Sequence, residues 1–98
     1  MIQELADNFI GVGEVKGFKF EKVLTTEKYY IYSVLKVGEK RHFEVIRRIV
    51  SPICLDFKNR TYSEVDFKEY YPKSNRFGID GFNCSTYEKA VNKLKAFE

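Results

Sequence analysis

The sequence predicts an α+β domain: a single antiparallel β-sheet of about four to six strands, with a C-terminal α-helix packed on one face. Three observations carry this reading. From about residue 15 to residue 71, apolar and aromatic residues alternate with polar ones, the period of a strand. Short turn signals such as Gly38-Glu39-Lys40 and Lys58-Asn59-Arg60 separate these runs, and such short connections suit antiparallel hairpins. From residue 85 the period changes to that of a helix with one apolar stripe. A half-apolar sheet and a one-striped helix each need a cover, and each can supply it to the other.

The elements follow in order. Ile2, Leu5, Ala6 and Phe9 fall at helical spacing and predict a short N-terminal helix over residues 2–9, ended by Gly11 and Gly13. Phe18 and Phe20 alternate with Lys19 and Glu21, a strand over 15–24. Residues 28–37, KYYIYSVLKV, are the most strand-like segment, with Tyr29, Ile31, Leu35 and Val37 on one face and Tyr30, Tyr32 and Val34 on the other. Residues 41–50 return as its partner with Phe43, Val45 and Ile49 on one face. Arg47 shares that face and predicts a twist, a bulge or an exposed end. Pro52 interrupts pairing. Ile53, Leu55 and Phe57 are expected inward, as are Val65 and Phe67 on the returning strand 61–71. Phe77, Ile79 and Phe82 predict a last short strand. Ser85 and Glu88 form an S-x-x-E capping box ahead of a helix whose stripe is Tyr87, Ala90, Val91, Leu94 and Phe97.

Ninety-eight residues make one domain, 1–98. A hydrophobic fraction of 44% with 32% charged residues excludes a disordered chain. Aromatics reach 16%, all Phe and Tyr, so rings supply much of the burial. The net charge of +3 is modest for a dedicated nucleic-acid binder. The start, MIQELADNFIG, has neither the basic region nor the apolar core of a signal peptide. No apolar run reaches membrane-spanning length. The expectation is a cytoplasmic protein with no membrane partner, its Cys54 and Cys84 reduced. Abundant Lys, Ile, Phe and Tyr beside scarce Pro and Arg point to AT-rich codons, and so to a low-GC bacterium or a mobile element within one.

Four constellations invite a chemical reading. GVGEVKG (11–17) is one residue off a dinucleotide fingerprint, but it precedes a strand, so no helix N-terminus awaits a phosphate. Asp56 with Asp66-Phe67-Lys68 resembles a metal-nuclease pattern, in which two carboxylates hold Mg²⁺ and a lysine orients water. A turn at 58–60 sets Asp56 opposite about residue 62, leaving Asp66 roughly 13 Å away, too far for one ion. His42 lacks a local signature that would join it to Cys54 or Cys84 for thiol chemistry. One His and two distant Cys fall short of a structural zinc site. The expectation is therefore no enzyme, no metal and no cofactor.

Basic and aromatic surface remains. Lys40 and Arg41 lie at a hairpin tip, Arg47 and Arg48 along a strand, and Lys73 and Arg76 in the stretch YYPKSNRFGIDG (70–81), which also carries Tyr70 and Tyr71. These eight residues are the candidate binding set. Tyr30 and Tyr32 join Tyr70 and Tyr71 as rings able to stack bases or anchor an interface. Glu39, Glu44, Glu64, Asp66 and Glu69 interrupt any phosphate track, so a protein partner fits better than a nucleic acid. The alternative is a small single-stranded nucleic-acid-binding protein using a Tyr/Arg/Lys sheet face, and a homodimer is compatible with either. The tip of 70–81 itself reads as a strand connector, because the helix cap comes too late for it to cradle a phosphate.

The Tyr-rich strand 28–35, HFEV (42–45), YPKSNRFG (71–78) and STYEKAVNKL (85–94) resemble small uncharacterised proteins of bacteroidete-type bacteria and their phages, over about two-thirds of the chain. Phage proteins of this size and makeup include inhibitors of host defence, among them anti-CRISPR proteins. The resemblance implies a small binder without a catalytic site that occupies the surface of a nuclease or ribonucleoprotein. In strand order the chain is also similar to the four-strand-and-helix fold of a single-strand-binding family, without that family's strongly basic strands.

Overall fold

A computed structural model describes residues 2–11, 13–72 and 74–97. Among the described residues the chain is α+β, with eight strands in two sheets and one C-terminal helix. The strands are β1 (Ile2–Gln3), β2 (Asn8–Ile10), β3 (Lys19–Thr25), β4 (Tyr29–Leu35), β5 (His42–Arg47), β6 (Val50–Asp56), β7 (Thr61–Glu69) and β8 (Gly81–Cys84), and the helix is α1 (Tyr87–Phe97). The large sheet runs β2-β3-β4-β5-β8 and is antiparallel throughout; the small one runs β1-β7-β6, with β1 parallel to β7. The expected antiparallel sheet and C-terminal helix are present, but one sheet has become two.

β4 explains the core. It is central in the large sheet, and every residue from Tyr30 to Val34 is buried. One face carries Ile31, paired with Val45 of β5, and meets Ala90 and Leu94 of α1. The other carries Tyr30, Tyr32 and Val34, which join Phe20 and Ile46 beneath Leu5, Phe9, Val15 and Tyr71. The near-continuous apolar and aromatic run in KYYIYSVL is thus a strand buried on both sides.

α1 is eleven residues, about 16 Å at 1.5 Å per residue. With strands about 4.8 Å apart, that covers roughly three of them, and α1 indeed packs on β4, β5 and β8. The helix therefore cannot also cover β6 and β7. This corrects the expected inward set there: Leu55, Phe57 and Val65 are exposed, and Ile53 and Phe67 are only half-buried. The chain leaves the large sheet after Arg47, the exposed end that Arg47 predicted.

Three further expectations change. Residues 2–9 are not helical; Ile2–Gln3 and Asn8–Ile10 are edge strands, with Phe9 stacked on Phe20 at 4.6 Å. Helical spacing in so short a run left the type open, and stacking on the sheet decided it. The last strand is Gly81–Cys84 rather than one built on Phe77 and Ile79; Ile79 is exposed, and residues 74–76 form a single 3₁₀ turn. The helix cap is Thr86 rather than Ser85: Thr86 Oγ1 accepts from Lys89 N at 3.1 Å, while Ser85 Oγ accepts from Lys89 Nζ. Both residues are good caps, and the register of the apolar stripe selects between them.

Candidate functional site

The seven candidate residues that the structure describes do not converge on one site. Lys40 and Arg41 precede β5, whereas Arg47 and Arg48 follow or end it, about 20 Å away at 3.3 Å per residue. The Arg41 guanidinium donates to Ser33 Oγ. Arg47 and Arg76 meet at the buried carboxylate of Asp80, at 3.7 and 2.7 Å. Tyr70 is exposed, with Lys68 Nζ 5.7 Å from its ring centroid. Lys73 lies outside the described residues. Tyr30 and Tyr32 are fully buried, so these two rings are withdrawn from any stacking surface.

Arg48 is committed inside the molecule. Its Nε donates to Glu69 Oε2 at 2.8 Å, one terminal nitrogen to Thr26 O, and the other to Glu4. Glu69 is 1% exposed and also accepts from Tyr30 Oη at 2.5 Å and Leu5 N at 2.9 Å. Burial alone would raise the Glu69 pKa, but the hydrogen bonds from Tyr30, Arg48 and Leu5 outweigh it and hold the carboxyl below its ordinary value. The bond to Glu69 raises the Arg48 pKa further. Burial, then the bond to Glu69, pushes the Tyr30 phenol up. Tyr30's ring lies between Lys22 Nζ (4.1 Å from the centroid) and the Arg48 guanidinium (4.7 Å). This cluster fastens β7 of the small sheet to β4 of the large one.

The nuclease-like carboxylates are apart. Asp56 pairs with Thr61, five residues before Asp66. Asp56 instead organises the β6–β7 turn, accepting from Lys58 N, Asn59 N and Asn59 Nδ2. His42 and Cys84 lie on opposite faces of the large sheet, since Cys84 pairs with Phe43. Among the described residues no group of three or more His, Cys, Asp and Glu is placed to hold a metal ion. Among the described residues no helix is long and apolar enough to cross a membrane.

Two features emerge that the residue types alone did not mark. The first is the β6–β7 hairpin, whose side chains Phe57 (88% exposed), Leu55 (65%) and Tyr62 (52%) stand in solvent. Its exposed charges balance: Asp56, Glu64 and Asp66 against Lys58, Arg60 and Lys68, while Glu69 at the end of β7 is buried. The second is a cleft of about 1170 Å³ on the large-sheet face opposite α1, between the N-terminal segment and Tyr70, Tyr71, Pro72, Asn75 and Phe77. At its floor Glu44, only 4% exposed, accepts from the Tyr71 hydroxyl and lies 3.0 Å from His42 Nε2. Burial and the Glu44 carboxylate raise the Tyr71 pKa. Phe9, Val15, Phe18 and Phe77 form apolar walls. The sequence did hold a signal for Glu44. It shares the alternate face of His42-Phe43-Glu44-Val45-Ile46 with Ile46, and that face meets Tyr30 and Tyr32.

Comparison with protein-family models, with curated proteins and with solved structures found no significant match.

Proposed function

We propose that the protein is a non-enzymatic protein-binding module whose contact surface is the β6–β7 hairpin. The observation that carries this reading is the exposure of Leu55, Phe57 and Tyr62 on one projecting hairpin. Large apolar and aromatic side chains left in solvent on one hairpin mark an interaction site, and aromatics anchor protein interfaces. The partner is a folded protein rather than a nucleic acid. The three exposed acids and three exposed bases of the hairpin cancel, so it offers no net attraction to a polyanion. A mixed-sign rim around an apolar centre is what protein interfaces use. The partner class implied by the phage-protein resemblance is a host defence nuclease or ribonucleoprotein, inhibited by occupation of its surface.

The test uses purified RNA-guided nucleases from low-GC bacteria, mixed with the full chain and followed by size-exclusion chromatography and a cleavage assay. Support is a stable complex that slows cleavage and is lost in Phe57→Asp. Failure of every nuclease to bind, alongside tight and salt-sensitive binding of bare single-stranded RNA or DNA, would overturn the reading in favour of the nucleic-acid alternative. A dimer of the chain itself, abolished by Phe57→Asp, would overturn it in favour of self-association.

A further inference from the structure

Three buried carboxylates occur in the described structure: Glu44, Glu69 and Asp80. Two of them are matched by arginine: Glu69 by Arg48, and Asp80 by Arg76 and Arg47. Glu44 differs. Among the described residues its ion-pair partner is His42 alone, charged only when protonated, and its other hydrogen bond comes from the neutral Tyr71 hydroxyl. A buried carboxylate without a fixed cation is costly, and this one lines an open cleft rather than a sealed core. Each carboxylate oxygen can accept more than the one bond it receives. Beside it on the neighbouring strand stands Asn83, paired with Glu44 in register, exposed and also lining the cleft. The walls are aromatic: Phe18, edge-on to His42 at 6.1 Å, then Phe9, Tyr71 and Phe77.

We propose that this cleft is a binding site for a small organic cation, an aromatic alkylamine. The ammonium group meets the Glu44 carboxylate and the Asn83 side-chain oxygen, and the ring lies among Phe9, Phe18 and Tyr71. An anion-selective site is disfavoured, because the charge at the floor is the Glu44 carboxylate and the Tyr71 hydroxyl beside it already donates to that carboxylate; Lys68 also lines the cleft, with its Nζ 5.7 Å from the Tyr70 ring centroid. A polar floor and apolar walls are the usual makeup of a small-molecule pocket. The ammonium supplies the fixed positive charge that Arg48 gives Glu69, and the rings add cation–π attraction. The cleft shares Lys68 and Glu69, at the end of β7, with the hairpin, but is lined by none of Leu55, Phe57 and Tyr62.

The experiment is an NMR titration of the full chain with phenethylamine, against 2-phenylethanol (same ring, no charge) and phenylacetate (same ring, opposite charge). Expected are saturable shifts of the Phe18, Glu44 and Asn83 amides with phenethylamine, and at least tenfold weaker binding of the other two. Glu44→Gln should weaken phenethylamine at least tenfold. Equal binding of phenylacetate, absence of saturable shifts, or undiminished affinity in Glu44→Gln would overturn the proposal. So would shifts confined to the α1 face. Should Glu44→Gln fail to fold, the wild-type comparison stands on its own. Phe18→Ala then supplies the variant arm, and unchanged affinity in it counts against the site.

Discussion

The Glu69 carboxylate joins the two sheets through Arg48: Oε2 receives Arg48 Nε at 2.8 Å, while Oε1 receives the Tyr30 hydroxyl of β4 at 2.5 Å. The small sheet otherwise meets the large one across few backbone contacts, so this buried cluster fixes how β7 leaves it. Removing one partner of a buried ion pair typically costs about 3 to 5 kcal/mol, because the other charge stays behind unpaired. Arg48 is partly exposed, which moderates the loss. Glu69→Gln should therefore destabilise the protein by about 3 kcal/mol, read as a lower urea midpoint with unchanged slope. A loss under 0.5 kcal/mol would show that the cluster is not the fastening.

The same carboxylate gives a pH dependence. Its pKa in the folded protein lies below its ordinary value, about 4.3 in an unfolded chain. The unfolded state therefore takes up the proton first as pH falls. Stability from Glu69 is fully present above the ordinary value and is lost as pH drops through the lower, folded one. Urea midpoints measured from pH 7 to pH 3 should fall more steeply in the wild type than in Glu69→Gln. Parallel curves would assign the acid loss to other groups.

Alkaline pH should act through the phenols. Burial raises the pKa of Tyr30, Tyr32 and Tyr71, and Glu69 or Glu44 adds to it in each case. Here the folded pKa lies above the unfolded one, about 10. The stability is fully present below pH 10 and is lost as pH rises beyond it, where the unfolded chain ionises first. Of the seven tyrosines, at least three should stay un-ionised at pH 10.5 in the absorbance titration and then ionise together with loss of the far-UV signal. Smooth titration of all seven near pH 10 in a folded protein would contradict their burial.

Gly11 closes the N-terminal cover over the core. A Cβ placed there would lie 2.2 Å from the Val15 carbonyl oxygen and 3.0 Å from the Phe20 ring. Gly11 N also donates to Phe18 O at 2.8 Å, which holds that loop against β3. The backbone oxygen cannot swing aside as a side chain can, so Gly11→Ala should cost about 1 to 3 kcal/mol, the range of core overpacking. Differential scanning calorimetry would show it as a lower Tm. Gly13→Ala, where no atom lies within 4 Å but φ is +63°, should cost less, through backbone strain alone. The motif GVGEVKG is thus built on close packing at its first glycine.

Much of this was legible because a strand buried on both faces leaves a dense signal. The apolar and aromatic run from Tyr30 to Val34 located β4 and both of its faces, and the separate helical stripe from Tyr87 to Phe97 located the helix that covers one of them. Leu55, Phe57 and Val65 alternate with polar residues, with another outcome. Period 2 reports which side chains share a face, but not whether anything covers that face. The acids divide in the same way. Glu64 and Asp66 are exposed, while Glu44 and Glu69 are buried, and residue type does not separate them. What separates them is a partner that arrives from far along the chain: Tyr71, 27 residues from Glu44, and Arg48, 21 residues from Glu69.

The hairpin prediction separates stability from binding. Phe57 is 88% exposed, at the β6–β7 turn, so the folded state gains little from its ring. Replacement by aspartate should leave the urea midpoint within 0.5 kcal/mol of the wild type, the usual range for an exposed site. The same change places a charge at the centre of the proposed contact, where an unpaired buried charge typically costs several kcal/mol. Affinity for the partner should therefore drop at least a hundredfold, while the fold, the acid curve and the tyrosine titration stay as they are. A large loss of stability in Phe57→Asp would mean that the ring is covered within the chain after all. An unchanged affinity would move the contact surface away from this hairpin.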